Sequence, residues 1–92
     1  MLNKKEQRIT IVFSLKDKVG ALVSVLKIFL KYKINLTRII SRPHPDKVWE
    51  YNFLIEIEDK VGEKNINKCL EEIEKHTINL YVLGRYSLTK IR

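Results

Sequence analysis

A chain of 92 residues, 45% hydrophobic and 32% charged, has the size of one small domain, and none of its apolar runs approaches the roughly 20 residues of a membrane-spanning helix. The net charge of +7 raises nucleic acid as a partner, yet eleven Lys and Arg against three Asp and Glu fall in residues 1–47 and seven against eight in residues 48–92. A lone cysteine, Cys69, excludes an internal disulfide and a paired-thiol metal site, and the polar, charged segment Met1–Arg8 has no secretory pattern, so the expected setting is the cytoplasm, with no metal, no cofactor and no membrane.

Two segments recur. Asp17-Lys18-Val19-Gly20 returns as Asp59-Lys60-Val61-Gly62, and Ile34-Asn35-Leu36 returns as Ile78-Asn79-Leu80, so the chain reads as two copies of strand, helix, strand. In the first strand, Ile9, Ile11, Phe13 and Leu15 alternate with Arg8, Thr10, Val12 and Ser14, the period of a half-buried strand. From Gly20 to about Lys33, Leu22, Val25, Leu26 and Phe29 form a helical stripe, with Ser24, Lys27 and Lys31 pointing away. A second strand spans about Leu36 to Arg42, and Pro43-His44-Pro45-Asp46 reads as a turn. Trp49, Tyr51, Phe53, Ile55 and Ile57 then alternate with Glu50, Asn52, Leu54, Glu56 and Glu58, which places the first set on a helix-covered face. The second helix, about Glu63 to His76, aligns Ile66, Cys69, Leu70 and Ile73, and a last strand covers roughly Leu80 to Tyr86. The expected fold is therefore α+β, a ferredoxin-like βαββαβ sandwich: a four-stranded antiparallel sheet with two helices on one face, one domain over 1–92 with its core at about 8–86. The open face is expected to show Thr10, Ser14, Glu50, Asn52 and Glu56.

Three classes of function fit this topology. RNA-binding modules of this fold stack bases on central-strand aromatics, but Tyr51 and Phe53 share the inward parity and the open side carries glutamates that repel phosphate. Acylphosphatases share the topology too, yet Lys16-Asp17-Lys18-Val19-Gly20 lacks their arginine and glycine-rich cradle, and neither His44, His76 nor Cys69 forms a nucleophile–base pair, so catalysis is not expected. In a ligand-sensing module, Gly20 would stand where a strand-to-helix turn meets a helix N-terminus, open to a carboxylate; the same glycine also suits the turn alone. Asn35, Leu36 and Thr37 start a strand at the expected sheet edge, a position that invites partners.

Gly20-Ala21-Leu22, Ile34-Asn35-Leu36-Thr37 and Ser41-Arg42-Pro43, followed by Glu50-Tyr51 and Phe53, resemble the ACT domain, specifically the phenylalanine-sensing type of prephenate dehydratases and aromatic amino acid hydroxylases. Ile11-Val12-Phe13-Ser14-Leu15-Lys16 is similar to the hydroxylases and Val82-Leu83-Gly84-Arg85-Tyr86 to the dehydratases, with the balance toward the dehydratases. The resemblance implies a homodimer paired through the second-strand edge, with L-phenylalanine or a related amino acid between Val19, Gly20, Ala21 and Leu22 of one copy and Asn35, Leu36 and Thr37 of the other. It also implies a regulated enzyme of aromatic amino acid metabolism, such as a prephenate dehydratase, acting as a catalytic partner in trans or belonging to the same longer chain. One position departs: the family's Glu-Ser-Arg-Pro is here Ile40, Ser41, Arg42, Pro43. That departure keeps a ligand-free pairing module of the same fold as the alternative.

Overall fold

Strict alternation in the first and third strands decides which side of the sheet is covered, and the computed structural model, which describes residues 3–16, 20–47 and 49–91, follows it. The elements are β1 (Asn3–Lys16), α1 (Ala21–Lys31), β2 (Leu36–Pro43), β3 (Glu50–Glu58), α2 (Glu63–Glu74) and β4 (Asn79–Ile91). The strands lie in the order β2-β3-β1-β4, every neighbouring pair antiparallel. This is the ferredoxin-like sandwich expected from the duplicated pattern.

Ile9, Ile11, Phe13 and Leu15 of β1 and Phe53, Ile55 and Ile57 of β3 are buried with Val25 and Phe29 of α1 and Ile66, Cys69, Leu70 and Ile73 of α2. Phe13 and Phe53 are direct cross-strand partners and stack, with ring centroids 5.5 Å apart. Such a pair adds to the area the two rings already bury. Cys69 belongs to this core, and burial, with a smaller contribution from Glu72, pushes its thiol up to about 12.

Three features differ from the sequence reading. β1 and β4 run well past Arg8 and Tyr86, with Asn3 opposite Ile91 and Gln7 opposite Ser87, because a backbone ladder needs no apolar signature. Trp49 is not on the covered face: it precedes β3 in the hairpin turn and is 71% exposed. Pro43 closes β2 opposite Tyr51 instead of opening the turn. An edge strand tolerates its missing N–H.

The open face is also less uniformly polar than expected. Thr10, Ser14, Glu50, Asn52 and Glu56 share its parity, but the register sets Ile40, Leu54, Val12 and Tyr81 side by side across all four strands. That apolar row separates a polar row with Glu56 from another with Arg42, Asn52 and Ser14. In β4, Thr10 pairs with Gly84 and Ile11 with Val82, so Leu83 bulges without a partner on β1.

Candidate ligand-binding site

Gly20 is the residue before α1 and adopts the left-handed backbone, φ 87 and ψ −8. Most side chains there would be strained, so the turn itself favours glycine. Among the described residues the space above it is also free, since a Cβ at Gly20 would meet nothing within 4 Å. The first backbone bond of the helix runs from the Ser24 N–H to the Gly20 carbonyl, 2.9 Å, which leaves the Ala21, Leu22 and Val23 amides without an intrahelical acceptor. Among the described residues no side chain caps them, and the first turn holds no acid. The repeated turn before α2 differs: Gly62 is at φ 93, ψ 153, its N–H donates to Asp59 Oδ1 at 3.0 Å, and Glu63 supplies a negative charge in the first turn. Among the described residues, the turn before α1 places no acid near its helix N-terminus, whereas the one before α2 does.

Ala21 and Leu22 are half-buried against the core margin, as is Leu36 at the start of β2. Val19 lies outside the described residues. Asn35 donates its side-chain amide to Glu58 Oε1 at 2.6 Å, and its carbonyl accepts the Glu58 N–H at 3.0 Å. Asn35 is exposed, and its side-chain carbonyl oxygen has no donor among the described residues. Thr37 turns to the open sheet face, where its hydroxyl donates to Glu56 Oε2 at 2.6 Å.

One chain does not bring the two halves together. Lys16, Glu50, Tyr51 and Pro43 mark one end of the sheet, where β1 leads into the Gly20 turn, whereas Leu36, Ile57, Glu58 and Arg8 mark the other. The length of β2, eight residues or roughly 25 Å, separates them.

The sequence reading missed Glu56 and Glu58, the acids that fix Thr37 and Asn35, because only strand register reveals those pairs. Glu56 also receives the Arg8 guanidinium at 3.0 Å and the Tyr86 hydroxyl. The Thr37 hydroxyl, then Tyr86, then Arg8 hold its carboxyl below the usual carboxylate range, and the same contact pushes the Tyr86 phenol up. A carboxyl with a depressed folded value contributes stability above its unfolded value and loses it as pH falls through the folded one. Thermal unfolding should therefore weaken more steeply between about pH 5 and about pH 3 in the native chain than in Glu56→Gln. Parallel slopes would remove Glu56 from that role.

Ile40 and Arg42 lie on the open face beside Leu54 and Asn52, and Ser41 and Pro43 on the other parity of β2. The motif positions are thus split between the two sides of the sheet. Among the described residues no group of three or more His, Cys, Asp and Glu could hold a metal, and no helix is long and apolar enough to cross a membrane.

A family model of the ACT domain matches residues 9–75. The chain belongs to the ACT domain family. Its sequence is 43% identical over 77 residues to a bifunctional chorismate mutase/prephenate dehydratase of Aquifex aeolicus, covering 84% of this chain and 21% of that protein. The prephenate dehydratase structure from Streptococcus mutans superposes with a TM-score of 0.77 at 33% identity, covering 91% of this chain and 45% of that one. The prephenate dehydratase of Arthrobacter aurescens, solved in complex with L-Phe, superposes at 0.76 with 28% identity, covering 87% and 26%. This ACT domain thus spans from about a fifth to under half the length of those relatives, and it is of the kind carried by prephenate dehydratases.

Proposed function

We propose that this ACT domain binds L-phenylalanine, or a related amino acid, at the interface of a homodimer formed through the β2 edge, and that occupancy controls an aromatic amino acid pathway enzyme such as a prephenate dehydratase. The observation that carries the proposal is the placement of the two half-sites at opposite ends of one sheet. In a twofold dimer β2 pairs antiparallel with its copy, so the Leu36 end of one strand meets the Pro43 end of the other, beside that copy's Gly20 turn. Two equivalent sites follow.

Each half-site supplies a different part of an amino acid's chemistry. The uncapped amides of Ala21, Leu22 and Val23 suit a carboxylate. The undonated side-chain oxygen of exposed Asn35 suits an ammonium, and Leu22 and Leu36, already at the core margin, offer a ring its apolar contact. A ligand touching both copies stabilises the dimer by about 2.7 kcal/mol at a hundredfold excess over Kd. That is enough to bias a coupled enzyme by the roughly 1–3 kcal/mol typical of allosteric coupling.

RNA binding is less supported, since the central strands of the open face present Thr10, Val12, Ser14, Asn52, Leu54 and Glu56, without an aromatic ring. Titration calorimetry with L-phenylalanine should give saturable binding at one ligand per chain, with D-phenylalanine far weaker and the sedimentation coefficient shifting to the dimer. Silence toward L-phenylalanine, tyrosine, tryptophan and serine, in a chain that still dimerises, would leave the ligand-free pairing module as the function.

A further inference from the structure

We infer that the open face of the sheet carries a second ligand site, independent of the helix side, for a small apolar carboxylate that needs no amine. A groove of about 330 Å³ lies there, at the lower end of the range of small-molecule sites. Its floor is the cross-strand trio Ile40, Leu54 and Val12, and Pro43 and Pro45 wall one side. At its polar end Arg42 and Asn52 are direct partners across β2 and β3.

The donors at that end are uncommitted, and the acids nearby are not. Ser14 donates its hydroxyl to Asn52 Oδ1 at 2.6 Å, which leaves the Asn52 amide nitrogen with two N–H groups and no acceptor among the described residues. Arg42 is exposed and makes no hydrogen bond or ion pair among the described residues. Among the described residues no carboxylate lines the groove. Glu50 pairs with Lys47 at 3.4 Å, and Glu56 sits beyond the Ile40 row, held by Arg8, Thr37 and Tyr86. An anion entering the groove therefore meets a planar guanidinium that can grip a carboxylate with two parallel bonds, a neutral amide donor beside it, and an apolar floor for the rest of the molecule.

Charge complementarity selects this occupant over a second copy. A second copy laid on this face would bring its own net charge of +7 against an already unpaired Arg42. Ile40 is what keeps the site open: a carboxylate there would stand two residues along β2 on the face of Arg42 and pair with it.

Methyl-resolved NMR of the full chain, titrated with 3-phenylpropanoate, tests the assignment. The Val12, Ile40 and Leu54 methyls should shift and saturate, whereas phenethylamine, with the same ring and the opposite charge, should leave them in place. Arg42→Gln should weaken the effect at least tenfold with spectral dispersion intact, and Ile40→Glu should do the same with Arg42 still present. Equal responses to acid and amine, an unaltered titration in Arg42→Gln, or shifts confined to Ala21, Leu22 and Leu36 would each overturn the site. So would self-association through this face that Ile40→Glu abolishes. The same titration with L-phenylalanine reads the helix-side site separately, through Ala21, Leu22 and Leu36, so either site can fail without the other.

Discussion

Gly20→Asn is expected to fold and to lose saturable L-phenylalanine binding, with Kd rising at least tenfold, about 1.4 kcal/mol. Asparagine is among the few L-residues that accept the left-handed conformation Gly20 holds at φ 87, so the turn survives. Its side chain then enters the space that, among the described residues, no atom occupies within 4 Å, beside the amides that a ligand carboxylate would use. Gly20→Val separates the two demands on this position. It should lose binding and also about 1–2 kcal/mol of stability, because a β-branched side chain is strained at that φ. Calorimetry and thermal unfolding on both variants decide the matter: an asparagine variant with native affinity removes the Gly20 turn from the site.

The largest stability effect should come from Phe13→Ala. Phe13 is fully buried, stacked on Phe53 in the middle of the central strand pair. Truncating a core phenylalanine costs about 3–5 kcal/mol. A native domain holds only about 5–15 kcal/mol in total, and a small one sits toward the low end. The variant should therefore lose most of its cooperative denaturant transition. Val23→Ala, on the exposed side of α1 at 52%, is the matched control and should stay within about 0.5 kcal/mol of the native chain. A Phe13→Ala loss below about 1 kcal/mol would mean that the sheet, not the ring stack, organises the core.

What was legible in the sequence was periodicity. Ile9 to Leu15 and Phe53 to Ile57 keep a period of two, and the stripes of α1 and α2 a period of 3.6, so element order, sheet face and core followed directly. Trp49 shows where that reasoning stops, because parity counts only while the chain is still a strand, and β3 begins one residue later. The ladder beyond Gln7 and Ser87 was silent for a different reason: backbone hydrogen bonds hold it, and they leave no residue-type pattern. At the candidate site, the two glycine turns looked alike as Asp-Lys-Val-Gly. What sets their backbones apart, Gly20 at φ 87, ψ −8 against Gly62 at φ 93, ψ 153, emerges only from conformation. Val12 and Leu54 had the parity of the open face all along, but that they align with Ile40 and Tyr81 into one row needed the register of all four strands.

The bulge at Leu83 bears on how many copies can join. A sheet with two free edges is a tile that can in principle be laid end to end without limit. Here one border is uneven: the extra residue in the middle of β4 breaks the even spacing of backbone donors and acceptors that a neighbouring strand would have to match. The β2 border keeps its register from Arg38 to Pro43. In the proposed dimer, joining along β2 would use up the more regular border of each copy, so growth would stop at a pair and not run on into a fibre.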